Sequence, residues 1–521
     1  METLTTQFRT YLAVAGLLFC LWHLKNFGTR KRNPKRLPHP PGPKGLPILG
    51  AMLDIPALSG KPWLVYDKWF KKYGDIIYFE ALGQPYMVLG SLKRTNDILD
   101  KRSTNYSDRP SSPMLKLMGY SWILALMPYG TAWRRHRRAF HEHFHLNAVH
   151  KYVPIITKET QALLRRLLET PECFMDHIRH TFSATIMTVS YGLTVSDSED
   201  PITSKGEEAL QGFSEAAVPG IFLVDLLPIL KYVPSWFPGA GFKRKASHYS
   251  SVNAEVVNLP FKAVQRSIAE GTAVPCMLTS LLEEFPGSKD LNKEEQELIS
   301  RHVTALAYIA GADTTVSSTQ TFFLAMAMHP EAQRKAQAEI DAIVGAHRLP
   351  DLNDRPHLPY INAIVKELMR WQLVIPLGLA HMATDDDEYD GYFIPKGTIV
   401  IGASWSILHD PEIFEEPEEF RPERYLKDGQ LDPSIRDPGV AAFGYGRRIC
   451  PGRHMSDNSL YSIVSSVLAV YNIKAPLDEF GKPKEVKADY TSGFLSYPVP
   501  FSCTIEPRSK AADSLIRGLS D

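Results

Sequence analysis

Five cysteines are scattered through 521 residues, at positions 20, 173, 276, 450 and 503, and one of them stands in a setting suited to chemistry. Cys450 closes the run Ala442-Phe443-Gly444-Tyr445-Gly446-Arg447-Arg448-Ile449 and is followed by Pro451-Gly452-Arg453. A cysteine that ligates a metal does so as the thiolate, which must be held still and shielded from water. Glycines at 444, 446 and 452 let the backbone turn tightly and approach a flat ring. Phe443 is placed to limit exposure of the sulfur. Pro451 opens a helix expected over 452–471, whose positive end favours an anionic sulfur. The cysteine set is odd in number and widely spaced, with no CxxC pair, so it argues against a disulfide framework and a structural zinc site.

A second cluster is Ala310-Gly311-Ala312-Asp313-Thr314-Thr315. It falls inside the longest helical pattern, expected over Lys293 to Met328 and stopped by Pro330. Glycine in mid-helix costs about 1 kcal/mol against alanine. Threonine and aspartate compete with the helical backbone for hydrogen bonds. A long buried helix carrying all three needs a reason beyond packing. Two further pairs share helix faces: Trp133 with Arg137 at i, i+4, and Glu367 with Arg370 at i, i+3. Taken alone, the second is an ordinary surface pair worth little.

Phe443, Gly446, Arg448, Cys450 and Gly452 keep the spacing Phe-x-x-Gly-x-Arg-x-Cys-x-Gly, and through it the chain resembles the cytochrome P-450 superfamily. Ser456 departs from the pattern, standing where that family often has alanine. The other motifs follow in family order from Trp133 to Gly452, so the likeness covers essentially the whole chain. It implies a mainly α fold with a small β-sheet subdomain, and heme b with Cys450 as axial thiolate. Phe443 would lie beside the sulfur. Trp133, Arg137, His381 and Arg448 would meet the haem propionates. Gly311 would leave room for dioxygen in a groove. Thr314 and Asp313 would be the catalytic pair, Thr314 passing protons and Asp313 relaying them from solvent. Glu367, Arg370 and Arg424 would form a buried charge triad that locks the core.

The chemistry implied is insertion of one oxygen atom from dioxygen into a hydrophobic small molecule. No flavin or nucleotide fingerprint is visible, so electrons would come from NADPH through a separate NADPH-cytochrome P-450 reductase. Arg134, Arg135 and Arg138 face away from Trp133 and would form part of a basic docking patch for it. Substrate contacts are expected from 111–127, 216–230, around Ala307, 374–377 and 493–495. Lys231 to Gly239, Gly391 to Gly397 and Cys450 to His454 look like fungal members that tailor secondary metabolites, in the style of the O-methylsterigmatocystin oxidoreductase-like and tryptamine hydroxylase-like groups. A haem-thiolate isomerase or dehydratase needing no external electrons, and a non-catalytic haem carrier, are the competing readings. The presence of Thr314 beside Asp313 weighs against both.

The elements that must position these residues are mostly helical. Beyond the long run, helices are expected over Glu331 to Val344 and Tyr360 to Trp371. Strands are expected at Ile76 to Phe79 and Tyr86 to Leu89 around a turn at 82–85. A second strand pair is expected at Tyr392 to Ile394 and Thr398 to Ile401, joined through Pro395-Lys396-Gly397. The acidic run Asp385 to Glu388 reads as a solvated turn. Lys+Arg and Asp+Glu balance at 58 each, which speaks against nucleic acid as a partner and against a disordered chain.

Three regions follow from these patterns: a membrane anchor over 1–24, a basic and proline-rich linker over 25–60, and a haem-binding domain over 61–521. Tyr11 to Leu24 is nearly all apolar and is followed by basic residues at 25, 30, 31, 32, 35 and 36. That arrangement favours an anchor contacting membrane lipid over a cleaved leader or a core helix. It would put the body on the cytoplasmic face of the endoplasmic reticulum membrane. The sequon Asn105-Tyr106-Ser107 would then lie on the unglycosylated side. Leu37 to Pro47, rich in proline, reads as a stiff spacer.

Overall fold

A computed structural model describes residues 32–46, 49–55, 60–196, 200–218 and 221–519. The apolar stretch Tyr11 to Leu24 lies outside the described residues. Among those described, no helix is long and apolar enough to cross a membrane.

Helices dominate. Those of twelve or more residues are α1 (Pro62–Tyr73), α2 (Thr131–Phe144), α3 (Val153–Glu169), α4 (Phe174–Tyr191), α5 (Pro201–Ala216), α6 (Gly241–Ala269), α7 (Lys293–Met328), α8 (Pro330–Ile343), α9 (Pro359–Trp371) and α10 (Arg453–Val470). α7 is the axis of the molecule. Asn292 caps its start, accepting the Glu295 amide at 2.8 Å, while Glu295 reaches back to the Asn292 amide. Its 36 residues span about 54 Å at 1.5 Å per residue. From Val303 to Ala327 it is buried on nearly every side, which explains why small and apolar residues continue around its whole circumference. One hydrophobic cluster joins α7 to α2, α4 and α6, and a second joins its C-terminal half to α3, α8, α9 and α10.

The principal sheet has the order β1-β2-β6-β3, with β1 Ile76–Ala81, β2 Gln84–Leu89, β3 His381–Met382 and β6 Ile399–Gly402. β1 and β2 form the expected hairpin around Leu82 and Gly83, both at positive φ. The expected second hairpin does not form. The strand at β5 (Tyr392–Ile394) pairs instead with β4 (Asp387–Tyr389), and β6 crosses to lie parallel to β2 and antiparallel to β3. Local spacing marked both strands but not their partners, which come from distant parts of the chain. The acidic run stays largely exposed, at Asp385, Asp386 and Glu388, but it is pinned: Asp387 accepts from Arg102 at 2.6 Å and from the Tyr106 hydroxyl at 2.9 Å, while Asp386 is paired with Arg32.

The proline-rich stretch lies against the body. Pro38 and Pro41 offer their carbonyls to the amides of Phe393 and Tyr78 at 2.8 and 2.9 Å, and His39 stacks on Tyr78. Proline has no amide to donate, so Pro38 and Pro41 attach through their carbonyls, while the His39 ring nitrogen reaches the Phe393 carbonyl at 2.8 Å.

The charge triad closes as expected. Arg370 grips Glu367 through two bonds of 2.7 and 2.8 Å, and Arg424 reaches the same carboxylate at 3.1 Å. Glu367 and Arg370 have no solvent exposure. Arg370 also donates to the carbonyls of Leu408, Pro417 and Glu419, stapling α9 to the segment that leads into the cysteine loop. Glu367→Ala would strand a fully buried guanidinium, so a loss of about 3–5 kcal/mol is expected in chemical denaturation; a wild-type midpoint would show the triad to be dispensable.

Several histidines are buried neutral. His409 stacks on Trp405 at 3.9 Å, and burial with Arg370 nearby pushes its pKa down to about 3. Burial also lowers His302 and His143 to about 4. An unfolded histidine takes up its proton near pH 6.5. Between that pH and about 4 the unfolded chain therefore holds more protons than the folded one, and stability falls as pH drops. Unfolding free energy measured from pH 7 to 4.5 is expected to decline, with a shallower slope in His409→Gln; equal slopes would contradict this.

Candidate active site

A cavity of about 310 Å³ opens between α7 and α10, with the cysteine loop in its wall. Cys450, Phe443, Trp133, Arg137, His381, Arg448, Gly311 and Thr314, all picked out from the sequence, line this one space. Asp313 does not, because its side chain points to the other side of α7.

The loop is built by its glycines and by one backbone bond. Gly444 and Gly446 adopt positive φ, and a β-carbon on Gly446 would fall 2.1 Å from the Leu99 carbonyl oxygen. The Cys450 amide donates to the Phe443 carbonyl at 2.8 Å, folding the loop back on itself. The helix after it begins one residue later than expected, at Arg453 with Gly452 as its cap, and ends at Val470. Pro451 therefore precedes the cap, and the amides of Gly452 and Arg453 are the ones turned toward the sulfur. Burial pushes the Cys450 thiol up; those amides, Arg137 and Arg453 pull against it. A thiolate here needs a cation on the sulfur, since burial disfavours the bare anion.

Facing the loop is the 310–315 cluster. Thr314 donates its hydroxyl to the Ala310 carbonyl at 2.8 Å. Gly311 borders the cavity, and a β-carbon there would also meet Ile186 at 2.8 Å, so the missing side chain lets α4 pack closely on α7. Ser456, the departure noted above, sits 3.0 Å from the Thr315 hydroxyl and ties α10 to α7.

The rim is unusually cationic. Arg448 donates to the carbonyls of Ser107, Leu124 and Met127, and its guanidinium lies 4.6 Å from the Trp133 ring centre. Arg109, which nothing in its loop sequence marked, donates to the carbonyls of Ala125, Leu379 and Ala380. Arg137 has no hydrogen-bond partner among the described residues. Burial lowers Arg109 to about 9 and Arg448 to about 10, and lowers Arg137 as well. None of the three forms an ion pair among the described residues. Asp108, the acid that acts on both Arg109 and Arg448, already accepts the Tyr129 amide at 2.8 Å. His381 is buried, with Nδ1 at 2.7 Å from the Tyr106 carbonyl, which leaves Nε2 free. Burial and Arg109 hold it well below its ordinary value.

Two buried guanidiniums and the half-buried Arg137, none of them in an ion pair among the described residues, are costly, and a bound anion would offset that cost. A flat ligand bearing two carboxylates, with a metal held on the Cys450 sulfur, meets both demands. The residues present therefore fit a haem: Cys450 to ligate the iron, and Arg109, Arg137, Arg448, Trp133 and His381 to hold the propionates.

The expected substrate-contact segments are met in part. Leu124, Ala125, Leu306, Ala307, Ala310, Val374, Ile375 and Leu377 line the cavity. Among the described residues, none of 216–230 or 493–495 does; Val224 is instead buried in the cluster behind Leu306 and Ala307.

Comparison with known proteins agrees with this geometry. The family model described as Cytochrome P450 matches residues 40–504. Cytochrome P450 monooxygenase COX1 of Coprinopsis cinerea is 45% identical over 520 residues, covering 99% of this chain and 100% of that protein. Cytochrome P450 monooxygenase COX2 of the same fungus is 47% identical, covering 93% and 92%. Tryptamine 4-monooxygenase of Psilocybe cyanescens is 40% identical, covering 92% and 95%. The cysteine loop, the cationic rim and these relatives lead to one conclusion: the chain belongs to the cytochrome P450 family of haem-thiolate monooxygenases.

Proposed function

We propose that the protein inserts one oxygen atom from dioxygen into an uncharged, apolar small molecule in fungal secondary metabolism. Two electrons come from NADPH through a separate reductase. The observation that carries this reading is one cavity with Cys450 in one wall and Thr314 in another, cationic at its rim and bounded near Thr314 by Leu306, Ala307, Ile375 and Leu377. The fungal relatives, tryptamine 4-monooxygenase among them, support the metabolic setting.

A bound haem supplies the reductive activation of dioxygen; the chain supplies position, exclusion of water and protons. Thr314 carries a hydroxyl that α7 presents to the cavity beside Ala307 and Ala310. Asp313, next in sequence, has contact with the half-exposed Arg179 and so with solvent. Protons pass along this route from outside to Thr314, while Leu306, Ile375 and Leu377 keep bulk water from the reacting centre.

Charge separates this chain's substrate from an amine. The acid lining the cavity, Asp457, is already paired with Arg355 at 2.7 and 3.0 Å, and Asp313 faces away. No carboxylate among the described lining residues is left to receive an ammonium group. The exposed Arg134, with Arg135 and Arg138 on the same helix, suits an acidic reductase, and the apolar and basic residues of 11–36 suit attachment to the cytoplasmic face of the endoplasmic reticulum membrane.

Co-expression with a fungal reductase and a panel of neutral terpenoid and polyketide precursors is expected to give oxygenated products with incorporation from ¹⁸O₂. Tryptamine is expected to give none; turnover of tryptamine alone would reverse the charge assignment. Thr314→Ala should keep NADPH oxidation but divert most electrons to hydrogen peroxide, lowering product by 10- to 100-fold. Product formation at the wild-type ratio would remove Thr314 from the proton route. Arg109→Leu, which deletes one rim cation, is expected to lower haem retained after gel filtration; full retention would mean that the other rim groups suffice.

A further inference from the structure

Asp313, Ser317 and Thr321 recur every four residues along α7 and so share one face. All three bond to the same C-terminal stretch. Asp313 Oδ2 accepts the phenolic O–H of Tyr497. Ser317 donates to the Ser496 carbonyl at 2.5 Å, and the Tyr490 hydroxyl donates to Thr321 at 3.4 Å. The stretch is folded against itself, since the Thr491 amide donates to the Tyr497 carbonyl at 2.8 Å and the Tyr497 amide to the Thr491 hydroxyl at 3.0 Å. It is also tied to the cavity wall, because the Ser496 amide donates to the carbonyl of Val374 at 2.9 Å. Tyr497 thus arrives at Asp313 on a braced element.

On the other side of the carboxylate, Arg179 of α4 donates to Oδ1 at 2.9 Å, and its guanidinium lies 5.4 Å from the Tyr497 ring centre. The Asp313 side chain is 9% exposed while that of Arg179 is 40% exposed, so the pair spans from interior to surface. Arg179 and Tyr497 are the charged and titratable groups in contact with Asp313. Thr314, one residue on, makes no bond to either; its hydroxyl is engaged with Ala310.

We infer that Tyr497 is a positioning residue for proton delivery: with Arg179 it holds the Asp313 carboxylate turned toward the surface, and release of the phenol bond frees the acid to serve Thr314. The step balances without electrons. Hydronium at the surface gives a proton to the Asp313 carboxylate and leaves water. The carboxylic O–H then gives its proton to the Thr314 oxygen, while the Thr314 hydroxyl turns from the Ala310 carbonyl and passes its own proton to a base in the cavity, which returns Asp313 to the carboxylate and Thr314 to the neutral hydroxyl. The inference rests on the monooxygenase reading above and adds a residue far along the chain that no motif marked.

Tyr497→Phe removes the donor and keeps the ring. With reductase and dioxygen as the probe, the solvent deuterium isotope effect on NADPH-driven oxygen consumption is expected to shrink. A lower rate with an unchanged isotope effect would assign Tyr497 a packing role only and overturn the inference. A second measurement needs no turnover: thermal midpoints of Tyr497→Phe, Asp313→Asn and the double variant. The double variant is expected to lose less than the sum of the single losses. Additive losses would deny the contact even in a fully active enzyme, whereas a wild-type protein lacking the thiolate carbonyl spectrum would defeat the monooxygenase reading itself.

Discussion

Burial of one sulfur sets the terms for this molecule. Cys450 lies where desolvation opposes its anion, and the amides and arginines around it only partly offset that cost. The thiolate becomes stable there when a metal cation shares the charge. α10 begins three residues beyond the sulfur, the Phe443 carbonyl holds the Cys450 amide, and the Glu367 triad braces the segment that delivers the loop. Each of these features keeps one atom in one place.

The rim obeys the same logic with the opposite sign. Arg109 and Arg448 are buried on backbone carbonyls, Arg137 is half-buried beside them, and none of the three forms an ion pair among the described residues. Such an arrangement costs free energy that a dianionic ligand would offset. Anion on the arginines and cation on the sulfur are therefore coupled demands, and a metalloporphyrin with two propionates answers both. Beyond the rim, the substrate side of the cavity carries little charge, and the acid that serves it is kept on the far face of α7 between Arg179 and Tyr497.

Much of this was legible in the residues. The cysteine loop, the long helix with its caps and the Glu367 pair are local patterns, and local patterns fix local structure. Lys293 to Met328 was readable to the residue because an Asn-Lys-Glu-Glu cap and a His-Pro stop bound it. What escaped was long-range. β6 was visible as a strand, yet its pairing with β2 depends on a chain separation of about three hundred residues that no turn signal encodes. Arg109 sits in a polar loop indistinguishable from a surface turn until the fold buries it. Gly311 lines the cavity, but the Ile186 side chain that its missing β-carbon also accommodates lies on another helix, far off in sequence. Tyr497 lacks any motif, and only the stripe Asp313, Ser317, Thr321 brings it to the site.

The account stands or falls on the bond between this sulfur and iron. Reduced, carbonyl-saturated spectra of the purified wild-type protein and of Cys450→Ala test it most directly. The wild type is expected to show the red-shifted Soret band of thiolate-ligated haem, and the variant to lose that band or the haem itself. An unchanged band in Cys450→Ala would place the ligand elsewhere and undo the assignment of the whole cavity.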